Sequence, residues 1–420
     1  MPGIEFISIG DEVLSGTTED RNFSFAAGEV VAAGLSPPVR RTSVRDNKKE
    51  IKDALRRAEQ SGFVIVCGGL GPTPDDLTAA CAADFFGEPL KSNPEALEHV
   101  RTALKKMKRR VLASHKKQAM MPESACVIPN SKGTSAGFMC ESKRAVFYFL
   151  PGVPREFQAM TTGFVVPDIQ KRSGAEKHSL KAVGVFGIPE SELARKVEKM
   201  KIKNADISYR IVRDYEIEVR ISHASDPKIV GNAAEKIKKR LGKNVFSVSG
   251  ATLAETVAQI LLEKNLTVSV AESCTAGILA SNLTQTAGSS KYFTGGVIPY
   301  SNRSKSDLLG VAQDVIEKKG AVSAEVARAM AAGTQKRFDS DIGVGITGIA
   351  GPGGGSFEKP VGTVYIATIA GKSVADAVCG KFQFTGSRDR VRRHSVARAL
   401  YMIMEAAQPK NGVKNGKRKS

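Results

Sequence analysis

Short apolar runs alternate with helically spaced apolar positions along nearly the whole chain. Ile4-Glu-Phe-Ile-Ser-Ile9 reads as a strand, and Gly10-Asp11-Glu12 as the turn that ends it. Helical spacing follows over residues 22–33, 51–60 and 77–86. Phe63-Val-Ile-Val66 has no polar alternation, as in a strand buried on both faces, and residues 145–150 form another such run. Strands interleaved with helices predict a parallel sheet covered by helices on both sides.

Past residue 166 the pattern shifts. Residues 179–186 read as a strand and 190–200 as a helix. Residues 206–212 and 215–222 alternate like hairpin strands around an Arg213-Asp214 turn, and 228–241 form a basic helix. From residue 251 the α/β rhythm returns. Helices are predicted over 252–264, from Ser273, over 323–338 behind a Ser323 cap, and over 386–404. Strands are predicted at 266–270, 295–298, 341–346, 361–367 and 381–384. The fold class is α/β. An α/β domain spans 1–166, a small α+β connector 167–250, a second α/β domain 251–408, and a basic tail 409–420. A chain of 420 residues accommodates about three domains.

Charge adds one feature. The chain carries 62 Lys and Arg against 43 Asp and Glu, a net charge of +19. Eight of the basic residues fall in 101–121 and five in 410–420, with no acid in either segment. Such a balance suits a polyanion or a phosphorylated small molecule. No aromatic residues interleave with the charges to stack bases, so a solvated face is favoured over nucleic-acid binding. The six cysteines are scattered without a C-x-x-C pair, which fits a reducing, cytoplasmic setting. The start Met1-Pro-Gly-Ile-Glu-Phe has no secretion-signal pattern, and no run is long and apolar enough to cross a membrane.

Candidate chemistry centres on Ala271-Glu-Ser-Cys-Thr-Ala-Gly277, where a strand hands over to a helix. Two roles are open to Ser273: a helix cap, or a nucleophile held beside amides that bind an oxyanion. Cys274 is a weaker rival nucleophile. A serine nucleophile needs a base, and no Ser-His-Asp pattern is visible. Tyr300-Ser-Asn-Arg-Ser-Lys305 offers a lysine that burial, with Arg303 or Arg388 nearby, would neutralise. The glycine-rich loop at 348–355 could cradle a phosphate, although no Gly-Lys-[Ser/Thr] of a P-loop follows. Arg388 opens a four-arginine cluster that reads either as a phosphate site or as a solvated face.

In the first domain, Gly68-Gly69-Leu-Gly71-Pro-Thr73-Pro-Asp75-Asp76 ends a buried strand, the expected ligand position on an open parallel sheet. Asp75 and Asp76 are candidates for a divalent cation, and Asp76 equally for a helix cap. Gly10, Asp11 and Glu12 are expected at the same pocket.

Read in order, GDEVLSG, GGLGPTPDDLT, KQAMMPESACVIPNSKGTSAG, FLPGVPREF, AESCTAG, YSNRSK, GITGIAGPGGGSFEKPVGTVY and GSRDRVRR resemble the competence/damage-inducible CinA family over roughly residues 3–407. The resemblance implies an N-terminal molybdopterin-binding (MoaB/MogA-like) domain and a C-terminal amidohydrolase domain. The latter would convert nicotinamide mononucleotide to nicotinate mononucleotide and ammonia without a cofactor. The family's serine–lysine pair maps onto Ser273 and Lys305, with Tyr300 and Arg388 in support. The implied substrate contacts are Thr275, Gly277, Asn302, Thr347, Gly348, Gly351, Gly353, Gly354 and Ser387. The N-terminal domain of some relatives would hydrolyse ADP-ribose with a divalent metal, in a pocket mapping onto Gly10, Asp11, Glu12, Gly68, Gly69, Gly71, Thr73, Asp75 and Asp76. The family also suggests a homodimer. Two departures stand out. The usual ESCTGG carries Ala276 here, and the usual GTAPG is Gly133-Thr-Ser-Ala-Gly137, without its proline. A different class of function is also open: a nucleotide-sensing protein that docks to DNA or a protein partner through its basic surfaces.

Overall fold

The computed structural model describes residues 3–174, 179–213, 216–223 and 226–408. Asp214 of the expected hairpin turn and the basic tail 409–420 lie outside the described residues. The chain divides into two compact units, residues 1–180 with 224–226, and residues 181–223 with 227–420. The α+β segment therefore belongs to the same unit as the C-terminal domain, although it keeps a core of its own around Val183, Leu193, Val219 and Ile237. The Val166–Ser173 helix, which begins at the expected boundary, belongs to the first unit.

The first unit is built on a six-stranded sheet. Ile4–Ile9 pairs in parallel with Arg40–Val44 on one side and Phe63–Cys67 on the other, and Phe63–Cys67 pairs in parallel with Val146–Leu150. Ile7 and Ile9 enter one apolar core while Ile4 and Phe6 enter the opposite one, the two-sided burial expected of central parallel strands. The sheet is mixed rather than purely parallel. Gly137–Glu141 and Cys126–Ile128 extend it with antiparallel pairings. The Arg40–Val44 strand escapes a reading by hydropathy because its sequence, RRTSV, is mostly polar and its first residues are exposed at the sheet edge.

The second unit holds a four-stranded and a five-stranded sheet. In the latter, Val268–Glu272 lies between Phe293–Val297 and Ile342–Gly348, parallel to both. Thr363–Ile369 and Val378–Gln383 complete it antiparallel. The Ala324–Phe338 helix begins with Ser323 Oγ accepting the Val326 amide, and the Leu253–Glu263 helix with a Thr252/Glu255 capping box. The long Arg388–Ala406 helix is capped by Ser387, whose hydroxyl accepts the Arg390 amide. Among the described residues no helix is long and apolar enough to cross a membrane.

Candidate active site

The Val268–Glu272 strand, next to the edge of the five-stranded sheet, runs two residues beyond the apolar stretch that announces it, so Ser273 is the first residue off its C-terminal end. No helix starts at Ser273. Residues 274–277 form a turn, and the helix begins at Ile278. The helix-cap reading of Ser273 therefore falls. The position before the helix is Gly277, and the amides that a cap would satisfy go to Glu272 instead. Its buried carboxylate accepts from Gly277 at 3.0 Å, Leu279 at 3.1 Å and Ala280 at 2.8 Å. An anion at a helix start is favoured by the partial positive charge of those amides. Relieved of capping, Ser273 is held by its own amide, which donates to Ile346 O at 3.0 Å on the adjacent strand.

Lys305 reaches the same point from another element. The segment YSNRSK forms the first turn of a helix, Asn302–Leu309, with Ser301 as its cap and Ser304 closing a capping box. That Ser-x-x-Ser spacing is the sequence signal that places the helix. Lys305 then points inward and is 2 % exposed. Its Nζ lies 3.4 Å from Ser273 Oγ, and donates to Pro299 O at 3.0 Å and Tyr300 O at 3.4 Å. Burial pushes the amine below its ordinary range, and among the described residues no carboxylate pairs with it. Cys274, adjacent to Ser273, is pushed up to about 12 by burial, which keeps it a thiol at neutral pH.

Two arginines of the last helix reach the segments around this site. Arg388 donates from Nη1 to Gly351 O at 2.8 Å and from Nη2 to Tyr300 Oη at 3.1 Å, tying the glycine-rich loop to the lysine-bearing segment. Arg392 donates from Nε to Cys274 O at 3.1 Å and from Nη2 to Thr275 O at 3.0 Å. Sequence reasoning saw Arg392 only as part of a basic cluster. Its i+4 spacing from Arg388 puts both on one helix face.

The remaining expected contacts divide. Asn302, Gly353 and Gly354 are exposed, and Gly351 is buried against Arg388. Thr347 is buried, with its hydroxyl donated to Ala321 O at 2.8 Å, so it supports the loop instead of facing solvent. Gly348 packs against Val364 and Thr363 within the sheet. Ser387 serves as helix cap. Thr275 is fully buried, and the Gly277 amide is already given to Glu272. The oxyanion donors expected over 275–277 thus reduce to the amide of the exposed Ala276, which donates to no side chain among the described residues.

In the first unit, Gly10, Glu12, Gly68, Gly69, Gly71, Asp75 and Asp76 line one cavity of about 570 Å³. Gly68, at φ +110°, lets the chain turn against Ile9, where a Cβ would lie 2.2 Å from the Ile9 carbonyl oxygen. Asp11 and Thr73 do not line it, but each bonds to a residue that does. The Asp11 amide donates to Asp46 Oδ2 at 3.2 Å, and Thr73 donates to Asp76 Oδ2 from its amide at 2.8 Å and its hydroxyl at 2.5 Å. Three cavity residues escape sequence reasoning: Asp46, Gln118 and Glu156. Asp46 follows the polar edge strand, and its carboxyl is raised chiefly by burial, with Asp11, Glu12 and Asp75 adding repulsion. The carboxylates are hard oxygen donors of the type divalent cations prefer. Asp76 is nevertheless engaged by Thr73, Asp75 is exposed, and among the described residues no three His, Cys, Asp or Glu side chains are grouped to hold a metal. The Asp75–Asp76 pair does not fit a prebuilt metal site.

Comparison with known proteins bears on both halves. Residues 250–407 match the model of the CinA C-terminal domain, and residues 5–171 that of a probable molybdopterin binding domain. A CinA-like protein of Geotalea daltonii is 41 % identical over 393 residues, covering 92 % of this chain and 94 % of that one. The chain belongs to the CinA family. A second CinA-like protein, from Citrifermentans bemidjiense, is 38 % identical over 419 residues, covering 97 % of this chain and all of its own. Among solved structures, the competence/damage inducible protein CihA of Agrobacterium tumefaciens is 39 % identical, covers 37 % of this chain and 94 % of its own, and superposes with a TM-score of 0.36. CinA membership accounts for the order of the two α/β halves, an N-terminal MoaB/MogA-like domain followed by the CinA domain.

Proposed function

We propose that the CinA domain is an amidohydrolase that converts nicotinamide mononucleotide to nicotinate mononucleotide and ammonia. One observation carries the reading: the buried Lys305 Nζ lies 3.4 Å from Ser273 Oγ. A neutral amine has two N–H donors and one lone pair. Pro299 O and Tyr300 O accept the two donors, which turns the lone pair toward the serine hydroxyl. Ser273 Oγ bonds to the carboxamide carbon while its proton passes to Lys305. The Ala276 amide stabilises the oxyanion. The carbon–nitrogen bond then breaks, and Lys305 returns the proton to departing ammonia. Water attacks the resulting ester, giving its proton to Lys305 and then to Ser273 Oγ as the acid leaves.

Arg388 uses one donor on Gly351 O and one on Tyr300 Oη. A guanidinium has five donors, so three remain for the substrate's phosphate. The exposed Gly353 and Gly354 follow Gly351 in the same loop, and in this reading their amides add to the phosphate site. In this reading Arg392 holds the turn in shape, by fixing two of its carbonyls.

The test is ammonia release from nicotinamide mononucleotide by the full chain. Ser273→Ala and Lys305→Ala are each expected to lose about 10³-fold or more in kcat. A Ser273→Ala protein that keeps the normal rate would refute the assignment.

For the first unit we propose nucleotide binding in the 570 Å³ cavity, with ADP-ribose as the first ligand to test. The acid pair does not fit a prebuilt cation site, so the role proposed for this cavity is binding.

A further inference from the structure

One cavity in the C-terminal unit has no part in the chemistry above. It measures about 500 Å³, within the usual range for small-molecule sites, and opens between the antiparallel strands Asp206–Arg213 and Glu216–His223 and two helices, Ile278–Leu283 and Arg388–Ala406. One wall is apolar, formed by Ile278, Val396, Ala397 and Leu400. At its rim stand Arg213 and Arg393, each beside a neutral or acidic neighbour. Arg213 Nη1 donates to Asn282 Oδ1 at 3.3 Å, and Arg393 Nη2 lies 3.0 Å from Asp389 Oδ2. The third feature is Glu216, 3 % exposed, whose Oε2 accepts the Leu253 amide at 3.3 Å.

These features specify a ligand with three parts. The apolar wall takes a flat ring. The two arginines take one compact anion, most favourably a phosphate. The buried Glu216 repels a second anion and accepts from a hydroxyl, while the Gln285 amide can read the edge of a heterocycle. The Asn282 amide is engaged, donating to Ile278 O at 2.8 Å and accepting from Arg213. We infer that this cavity binds a nucleoside monophosphate, at a site separate from the Ser273–Lys305 pair. The inference does not depend on amide hydrolysis. Its walls nevertheless touch that chemistry, since Ile278 follows Gly277 directly and Arg393 follows Arg392.

The test is calorimetric titration of the full chain with adenosine monophosphate, with hydrogen exchange to locate it. Binding with slowed exchange in residues 278–285 and 393–400 is expected. Arg213→Gln with Arg393→Gln, both changes at exposed positions, should weaken it about 10-fold or more. Adenosine and inorganic phosphate should each bind at least about 10-fold more weakly than the nucleotide. Ser273→Ala should leave the titration unchanged, which separates this site from the catalytic assignment. Absence of binding, protection confined to other segments, unweakened binding in the double variant, or phosphate binding as tight as the nucleotide would each overturn the inference.

Discussion

Glu272 accepts the Gly277 amide at 3.0 Å across the turn that presents Ser273. The same carboxylate also takes the Leu279 and Ala280 amides, so one buried side chain fixes both the turn and the start of the following helix. Removing it leaves three buried or half-buried amides without an acceptor. Unmade hydrogen bonds of this kind cost more than the bonds themselves contribute. Glu272→Ala is expected to lower stability by about 3 kcal/mol, and Glu272→Gln, which keeps one acceptor oxygen, by roughly half of that. Urea denaturation of the full chain measures both. A Glu272→Ala midpoint equal to the wild type would show that the turn is held by something else.

Ala276 stands in the same turn at φ +48°, a left-handed conformation that a Cβ disfavours by roughly 1–2 kcal/mol. Glycine removes that strain but adds freedom to the unfolded chain. The two effects oppose, and relief of strain is the larger. Ala276→Gly is expected to gain about 0.5–1 kcal/mol, read as a higher urea midpoint with unchanged slope. A loss of stability would mean that the turn is not strained at this residue.

How much of this was legible in the sequence depends on what fixed each feature. The strand Ile4–Ile9 and the helix after Ser323 are set by local hydropathy and capping, and both emerge from the sequence with little error. The edge strand Arg40–Val44 is made by pairing with its neighbour, not by its own composition, so RRTSV gave no signal. The same holds at the site. Ser273 and Lys305 were nameable as chemistry, but whether Ser273 capped a helix turned on Glu272, whose carboxylate displaced it from that role. Arg392 was hidden for a related reason. Nothing in a run of arginines says which one meets the carbonyls of a turn more than a hundred residues away.

The buried lysine gives the site a predictable pH dependence. Burial lowers the Lys305 amine from its ordinary 10.5. Between the lowered value and 10.5 the unfolded chain holds one more proton than the folded chain. Stability from this group is therefore complete above 10.5, and is lost as pH falls through the folded pKa. Lys305→Met abolishes that dependence. Its melting temperature, taken relative to wild type, should rise as pH is lowered from 10.5 and level off below the lowered pKa. The rate of ammonia release should run the other way in the wild type, climbing with pH until the amine is neutral and then levelling. A wild-type and Met-variant pair with parallel melting profiles would rule out a titration shifted by burial.

Arg388 makes the last separable prediction. Two of its donors bind the protein, at Gly351 O and Tyr300 Oη, and the proposed role of the others is to hold a phosphate. Its contribution to substrate binding should therefore depend on the phosphate being there. Arg388→Gln is expected to raise KM for nicotinamide mononucleotide about 10-fold or more, the loss of one charge-assisted contact, with a smaller change in kcat. Nicotinamide riboside, which has the same carboxamide and ring but no phosphate, should be turned over poorly by the wild type and no worse by the variant. If both substrates suffered equally, Arg388 would be shaping the Ser273–Lys305 pair through Tyr300 rather than binding the phosphate. Tyr300→Phe separates these two cases. It removes the hydroxyl that accepts from Arg388 while leaving the Tyr300 carbonyl that accepts from Lys305, so a phosphate-binding arginine should tolerate it with KM changed by no more than a few-fold.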